Sequence, residues 1–357
     1  KTKGNVVDPL ELMDRYGTDA LRFALSTGIS PGNDTKITPI KMEAGRNFAN
    51  KMWNATRFVL KSMESYSGDM KIDRKSIPLE DRWILSRLNT TIVDVDRLMK
   101  EYQFGEVQRQ IHDFLWGEFC DWYIEISKVR LNAGEGVVSP IPVLIEVLEK
   151  SLRLLHPFMP FITEELWQNI VDKMPEDKSR PESIMIAPYP QPDESFKDDV
   201  AEEVMASVVE IIRSIRNART EYKVEQSKQI EAIIYAGDME KEITAYASAI
   251  RTLAKADPSI KRNRGGASPE NSLVIVLKGV EVVIPMQSMV DVEAEKKRIK
   301  KEIDQLENEV IRLEDRLKDE AFLSKAPAQV VEKERANLAG KQDKLGKLKE
   351  HLANLEA

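Results

Sequence analysis

Between Gly45 and Lys61 the polar residues Arg46, Asn50, Asn54, Arg57 and Lys61 recur at intervals of three or four. On a helix advancing about 100° per residue they share one narrow sector, while Phe48, Met52, Ala55 and Val59 face the other way. Asn47 and Lys51 join them as candidates on the same helix. Guanidinium, ammonium and carboxamide groups with no acid among them suit a phosphate backbone and base edges, because they donate to both. The competing reading is a solvated outer face of a bundle helix.

Three other clusters carry chemistry. The opening Lys1-Thr2-Lys3-Gly4-Asn5 sets two ammonium groups beside a glycine, a pattern that suits a loop folding over phosphates and equally a charged terminal loop. The run Glu118-Phe-Cys-Asp-Trp-Tyr-Ile-Glu125 interleaves acids and aromatics, so it offers rings on which a base could stack and carboxylates to accept from its edge. Trp122 and Phe119 fall on the apolar stripe and read as core, which leaves Asp121, Tyr123 and Glu125 open, with Asp121 and Tyr123 taken as the candidates. Further on, Lys296, Lys297, Arg298, Lys300 and Lys301 form a basic cluster that would attract phosphates without reading sequence, or decorate the flank of a coiled coil. His156, in Leu-Leu-His-Pro-Phe, and the lone Cys120 read as buried structural groups. No Gly-rich phosphate loop, nucleophile elbow or HExxH is present, and His112, His156 and His351 have no zinc-ligand spacing, so no metal site is expected.

The elements that must carry these residues are mostly helices. Charged residues make up 32% of the 357 residues, aromatics only 6%, and the net charge is −7, a balance typical of long solvated helices. No apolar run is long enough for a membrane span, and a single cysteine cannot make an intramolecular disulfide. From about Ile40 to Val171 the apolar residues recur at helical spacing in five blocks, Ala44–Met63, Arg82–Tyr102, Glu106–Leu131, Pro142–Leu155 and Phe161–Val171. Short connections predict an antiparallel bundle. A proline-rich passage from Pro175 to Pro192 separates it from a small α/β module: helices at Ala201–Tyr222 and Glu240–Ala254, an apolar run at Ile230–Tyr235, and a hairpin of Leu273–Leu277 with Val280–Ile284. The last 65 or so residues carry a heptad seam at Val292, Ile299, Ile303, Leu306, Val310, Leu313 and Leu317. After a break at Phe322–Pro327 it resumes at Val331, Leu338, Leu345, Leu348, Leu352 and Leu355. Two helices of about 40 Å folding back as an antiparallel coiled-coil hairpin are expected, with Lys341, Lys344, Lys347 and Lys349 returning beside the first basic cluster.

Together these residues resemble the class I aminoacyl-tRNA synthetases, and within them the C-terminal half of the valyl type, over the whole chain. Lys1-Thr2-Lys3-Gly4-Asn5 looks like the end of the KMSKS signature and the KGN after it. Tyr16-Gly-Thr-Asp-Ala-Leu-Arg22 resembles the stretch that follows, and Arg46-Asn-Phe-Ala-Asn-Lys-Met-Trp-Asn54 the entry to the anticodon-binding bundle. Phe119-Cys-Asp-Trp-Tyr-Ile-Glu125 resembles a valyl-type bundle helix, and Leu155-His-Pro-Phe-Met-Pro-Phe-Ile-Thr-Glu-Glu-Leu-Trp167 a mark shared with the isoleucyl and leucyl groups. Val290-Asp-Val-Glu-Ala-Glu-Lys296 and Lys325-Ala-Pro-Ala-Gln-Val-Val-Glu-Lys-Glu-Arg335 look like the valyl coiled-coil arm. Isoleucyl relatives commonly carry a cysteine zinc site that one cysteine cannot supply.

The resemblance implies residues 1–38 as the tail of a catalytic domain, 39–192 as a helical-bundle anticodon-binding domain, 193–288 as the α/β module and 289–357 as a tRNA-binding arm. It implies a parent that attaches valine to tRNA(Val) with ATP and Mg, in which Lys1 and Thr2 would close over ATP phosphates. The opening at Lys1 without a methionine reads as a piece of that parent, with no cofactor, no activity of its own, a monomeric state and a cytoplasmic location expected. The bundle residues Arg46, Asn47, Asn50, Lys51, Asn54, Arg57, Asp121 and Tyr123 would face the anticodon side, and the arm cluster at 296–301 the outer corner of tRNA. A coiled-coil interaction protein is the alternative of a different class.

Overall fold

The computed structural model of the chain describes residues 7–28, 36–73, 76–134, 137–175, 177–265, 271–289, 292–318 and 328–356. They divide into two units, Lys1–Arg213 with Ala236–Ala254, and Ser214–Tyr235 with Lys255–Ala357. Helix dominates both, and a four-stranded sheet lies in the second.

In the first unit, helices α1 (Pro9–Tyr16) and α2 (Thr18–Ser26) precede α3 (Pro39–Glu64), α4 (Leu79–Lys100) and α5 (Phe104–Asp113). A π-helical stretch, Phe114–Tyr123, joins α5 directly to α6 (Ile124–Leu131), and α7 (Ile141–Leu155) and α8 (Pro160–Val171) follow. Proline in the first turn, where no intrahelical donor is lost, opens α1, α3 and α8. Asp8 and Thr38 cap the first two by accepting from the amides of Leu10 and Lys41. The α8 cap comes from another helix: Asp19 of α2 accepts from the Ile162 amide at 2.6 Å and the Phe161 amide at 3.4 Å. The expected apolar stripes meet in one core, in which Phe48, Met52, Val59, Ile84, Val95, Leu115, Phe119, Leu144, Leu148 and Leu152 are buried.

Two features set how these helices cross. A Cβ on Gly45 of α3 would sit 2.8 Å from the Ala20 carbonyl oxygen of α2, so the two backbones touch where only glycine fits. At the other end of the bundle, the Arg130 guanidinium forms a bidentate pair with Asp81, at 2.9 and 2.8 Å, and reaches Glu80 at 2.7 Å. Tyr123 donates to Asp81 at 2.7 Å, and Tyr246 donates to Glu80 at 2.8 Å. Tyr246 sits at the break between α10 (Glu240–Ala245) and α11 (Ala247–Ala254), where a single helix over Glu240–Ala254 was expected. Burial pushes the Asp81 carboxyl above its usual range despite Arg130, and drives both phenols up as well. The helix α9 (Asp199–Glu221) is tied to α4 by Arg82–Asp198, Ser86–Glu202 and Arg87–Glu202 contacts at its first turn.

The second unit holds strands β1 (Ile230–Tyr235), β2 (Ala256–Lys261), β3 (Ser272–Leu277) and β4 (Val280–Pro285) in the order β2-β1-β4-β3. The apolar run at Ile230–Tyr235 forms β1 and the expected hairpin is present, turning through Lys278 and Gly279, whose φ is +75°. β2, parallel to β1, was not foreseen, because Ala-Asp-Pro-Ser lacks strand residues; Pro258 donates no hydrogen bond and so fits only an edge strand. After a short helical turn, α12 (Met286–Met289), come α13 (Val292–Lys318) and α14 (Ala328–Glu356). Ile303, Leu306 and Val310 of the expected seam are buried. The helices pair through Glu302–Lys344, Glu307–Lys349, Glu309–Lys341 and Arg316–Glu334.

Replacing Gly45 by Ala is expected to cost about 1–3 kcal/mol through forced separation of α2 and α3, whereas Gly346→Ala on open helix surface should be neutral or stabilising; urea midpoints compare them. Arg130→Met should cost about 3–5 kcal/mol at neutral pH, because two buried carboxylates lose their cation. Asp81 has its folded-state pKa above the unfolded value, so that penalty applies where it is ionised and fades as pH falls through the acidic range. A deficit that grew on acidification would contradict the role given to Asp81.

Candidate nucleic-acid interface

Helix α3 presents the expected polar sector to solvent: Arg46, Asn47, Asn50, Asn54, Arg57 and Lys61 are all exposed, while Met42, Phe48, Met52, Ala55 and Val59 are buried. Glu43 and Glu64 stand at the two ends of the sector, and Glu64 pairs with Lys173 at 3.3 Å, so the stretch between them is free of acids. The Arg46 guanidinium lies 5.6 Å from the Tyr16 ring centroid and that of Arg15 5.0 Å from it, which holds one end of the sector against α1. One residue in the sector was not foreseen. Trp53 is 42% exposed among these polar side chains.

Lys51 leaves the sector. It is half-buried, pairs with Asp121 at 2.7 Å, and rests 4.9 Å above the Trp116 ring. Trp116 stacks in turn on His112 and Phe48, with ring centroids 5.6 and 6.4 Å away. Asp121 is exposed but already engaged by Lys51, so the two form one neutral pair beside the α3 face. Tyr123 corrects an expectation: it is completely buried and hydrogen-bonded to Asp81, with no side toward solvent. The cause is the π-helical stretch. There the Ile124 amide bonds to the Phe119 carbonyl five residues back, and the wider turn keeps Leu115, Phe119 and Tyr123 on the inner side together.

Other expected groups fall as follows. Lys300 and Lys301 are exposed on α13, while the side chains of Lys296, Lys297 and Arg298, like Lys1 and Thr2, lie outside the described residues. The returning lysines do not gather as a bare basic end, since Lys341, Lys344 and Lys349 pair with Glu309, Glu302 and Glu307, and Lys347 with Asp343. Such exposed pairs are weak, so the ammonium groups stay available to a stronger anion. Among the described residues no cluster of three or more His, Cys, Asp or Glu could hold a metal, and no helix is long and apolar enough to cross a membrane. A cavity of about 900 Å³ lies between the end of α2 and the start of α5, lined by Phe23, Thr27, Tyr102, Phe104, Gln108 and His112. Gln108 is buried there and donates to the Phe23 carbonyl and Thr27 hydroxyl, its own carbonyl oxygen being left without a partner.

Comparison with known proteins agrees with this layout. Residues 81–234 match the family described as the anticodon-binding domain of tRNA ligase, and residues 291–356 match the valyl tRNA synthetase tRNA binding arm. A valine–tRNA ligase from Dehalococcoides mccartyi (strain CBDB1) is 54% identical over 353 residues, covering 98% of this chain and 39% of its own length. The chain belongs with the valyl-tRNA synthetases, matching a C-terminal part of them. The valine–tRNA ligases of Carboxydothermus hydrogenoformans and Symbiobacterium thermophilum are 40% and 39% identical, over 95% and 100% of this chain. The chain spans about 40% of the length of these valyl-tRNA synthetases. The arm match coincides with α13 and α14, and the anticodon-domain match starts at α4, so the polar sector of α3 lies just ahead of it.

Cys120 is buried, and desolvation pushes its thiol pKa up to about 12. A thiol reagent at pH 8 is therefore expected to label the folded chain very slowly and the urea-unfolded chain rapidly. Fast labelling of the folded chain would show that the π-helical stretch opens.

Proposed function

We propose that this chain is the tRNA-recognition part of a valine–tRNA ligase. The bundle engages the anticodon stem and loop through the α3 sector, and α13 with α14 acts as an antiparallel coiled-coil arm leaning on the outer corner of tRNA through Lys300 and Lys301 and the cluster before them. The observation that carries this reading is the pair of family matches at residues 81–234 and 291–356, both to tRNA-binding parts, beside an exposed acid-free face on α3. In this division residues 1–38 follow the catalytic signature, 39–192 form an antiparallel anticodon-binding bundle, 193–288 the α/β module and 289–357 the arm.

Attachment of valine to tRNA(Val) with ATP and Mg is assigned to the whole ligase, since the relatives of that activity are about two and a half times as long as this chain. Lys1 and Thr2 take the part of signature residues over the ATP phosphates there. A monomer in the cytoplasm is the expected state.

Affinity in this reading comes largely from cations on phosphates, so it must fall steeply as salt rises. Titrating the chain with tRNA bearing a valine anticodon, and with the same tRNA carrying a changed anticodon, at 50 and 200 mM salt is expected to give salt-sensitive binding that weakens when the anticodon changes. Arg57→Gln should reduce the slope of log K against log salt by about one counterion's worth. Absence of binding at low salt would overturn the proposal.

A further inference from the structure

Five tryptophans occur in the chain, and four of them are held by the fold. Trp83, Trp122 and Trp167 are buried, with Trp167 donating its indole N–H to Glu149 at 2.8 Å. Trp116 is sandwiched by Lys51, His112 and Phe48. Trp53 stands apart by its exposure: it is 42% exposed, and among the described residues no ring or cation stacks on it and its indole N–H meets no acceptor. Leaving the largest apolar side chain in water forgoes the burial that normally stabilises it, and an indole N–H ordinarily finds a partner.

Its surroundings say what would cover it. On α3, Trp53 lies three residues after Asn50 and four before Arg57, the spacings that bring helical side chains side by side, with Asn54 adjacent. An apolar protein partner would ask for further apolar residues around the ring, but the exposed neighbours are carboxamides and a guanidinium. A flat π surface ringed by hydrogen-bond donors and cations, with acids only at the far ends of the helix, matches an unstacked nucleobase whose phosphates lie alongside.

We propose that Trp53 is the stacking platform for an unpaired base of the anticodon loop, with Asn50 and Asn54 meeting the base edge and Arg57 the adjoining phosphate. This inference rests on the tRNA-binding reading above. Stacking supplies affinity without charge, so its loss separates from that of a phosphate contact. Trp53→Ala is expected to weaken binding of the tRNA about 10- to 100-fold, with the salt slope unchanged and the thermal midpoint of the chain unaltered. Trp53→Phe, which keeps a ring, should retain most of the affinity. On a fully double-stranded RNA of similar length, where no base is free to stack, Trp53→Ala should bind as the unaltered chain does.

If the unaltered chain binds tRNA and Trp53→Ala binds it equally well, or if the same loss appears on the duplex, the stacking role is overturned while tRNA recognition stands. A loss accompanied by a flatter salt slope would also overturn it, because the residue would then be acting by displacing cations. If the unaltered chain binds no tRNA, both readings fall together.

Discussion

The bundle depends on one buried charge cluster. Asp81 is inaccessible to solvent and the Arg130 side chain nearly so, and an ionised carboxylate in such a place is tolerated only with its cation in register. The geometry makes this affordable from both sides. Glu80 and Asp81 sit in the first turn of α4, where the helix dipole favours acids, and Arg130 sits in the last turn of α6, where it favours a base. Because a bidentate pair tolerates little sliding, the start of α4 and the end of α6 are fixed against each other, and with them the spacing of the helices between. Tyr123 and Tyr246 complete the hydrogen bonding of the acids, which leaves only the Arg130 Nε without an acceptor.

A second consequence of that register is the position of the α3 face. With Phe48, Met52 and Val59 locked into the core and Gly45 pressed on Ala20, α3 cannot rotate, so its outward residues are held rigidly by contacts made on its inner side. A preorganised face loses less conformational entropy when a ligand settles on it than a mobile loop of equal composition would. The Lys51–Asp121 pair works the other way. It removes one cation from the face and sets it over Trp116, so the charge on offer is smaller than a tally of basic residues suggests.

Much of this is legible in the sequence because helical periodicity reports burial directly: the five bundle blocks and the seam through Ile303, Leu306 and Val310 come from spacing alone. What escaped did so for identifiable reasons. Tyr123 escapes because the backbone widens over Phe114–Tyr123, and uniform α-helical spacing does not reproduce its inward position. The Glu240–Ala254 helix hid a break that exists to aim Tyr246 at Glu80, a contact with no local signature. β2 is stabilised by its neighbour β1 and by an edge position, not by its own residues. Trp53 stood inside the polar sector in plain view, yet an aromatic at that spacing is ambiguous until its exposure is known.

The path of the chain also governs the order in which the molecule can assemble. The first unit is completed by Ala236–Ala254, which come after the β1 strand of the second, and the Tyr246–Glu80 bond joins residues 166 positions apart. A ribosome must therefore release well over half of the chain before the charge cluster at the heart of the bundle can be fully hydrogen-bonded. Until then Glu80 lacks its tyrosine, and the nascent bundle is a looser body than the finished one. Neither unit, moreover, is a single uninterrupted stretch, so a cut at any one point of the sequence leaves at least one of them incomplete.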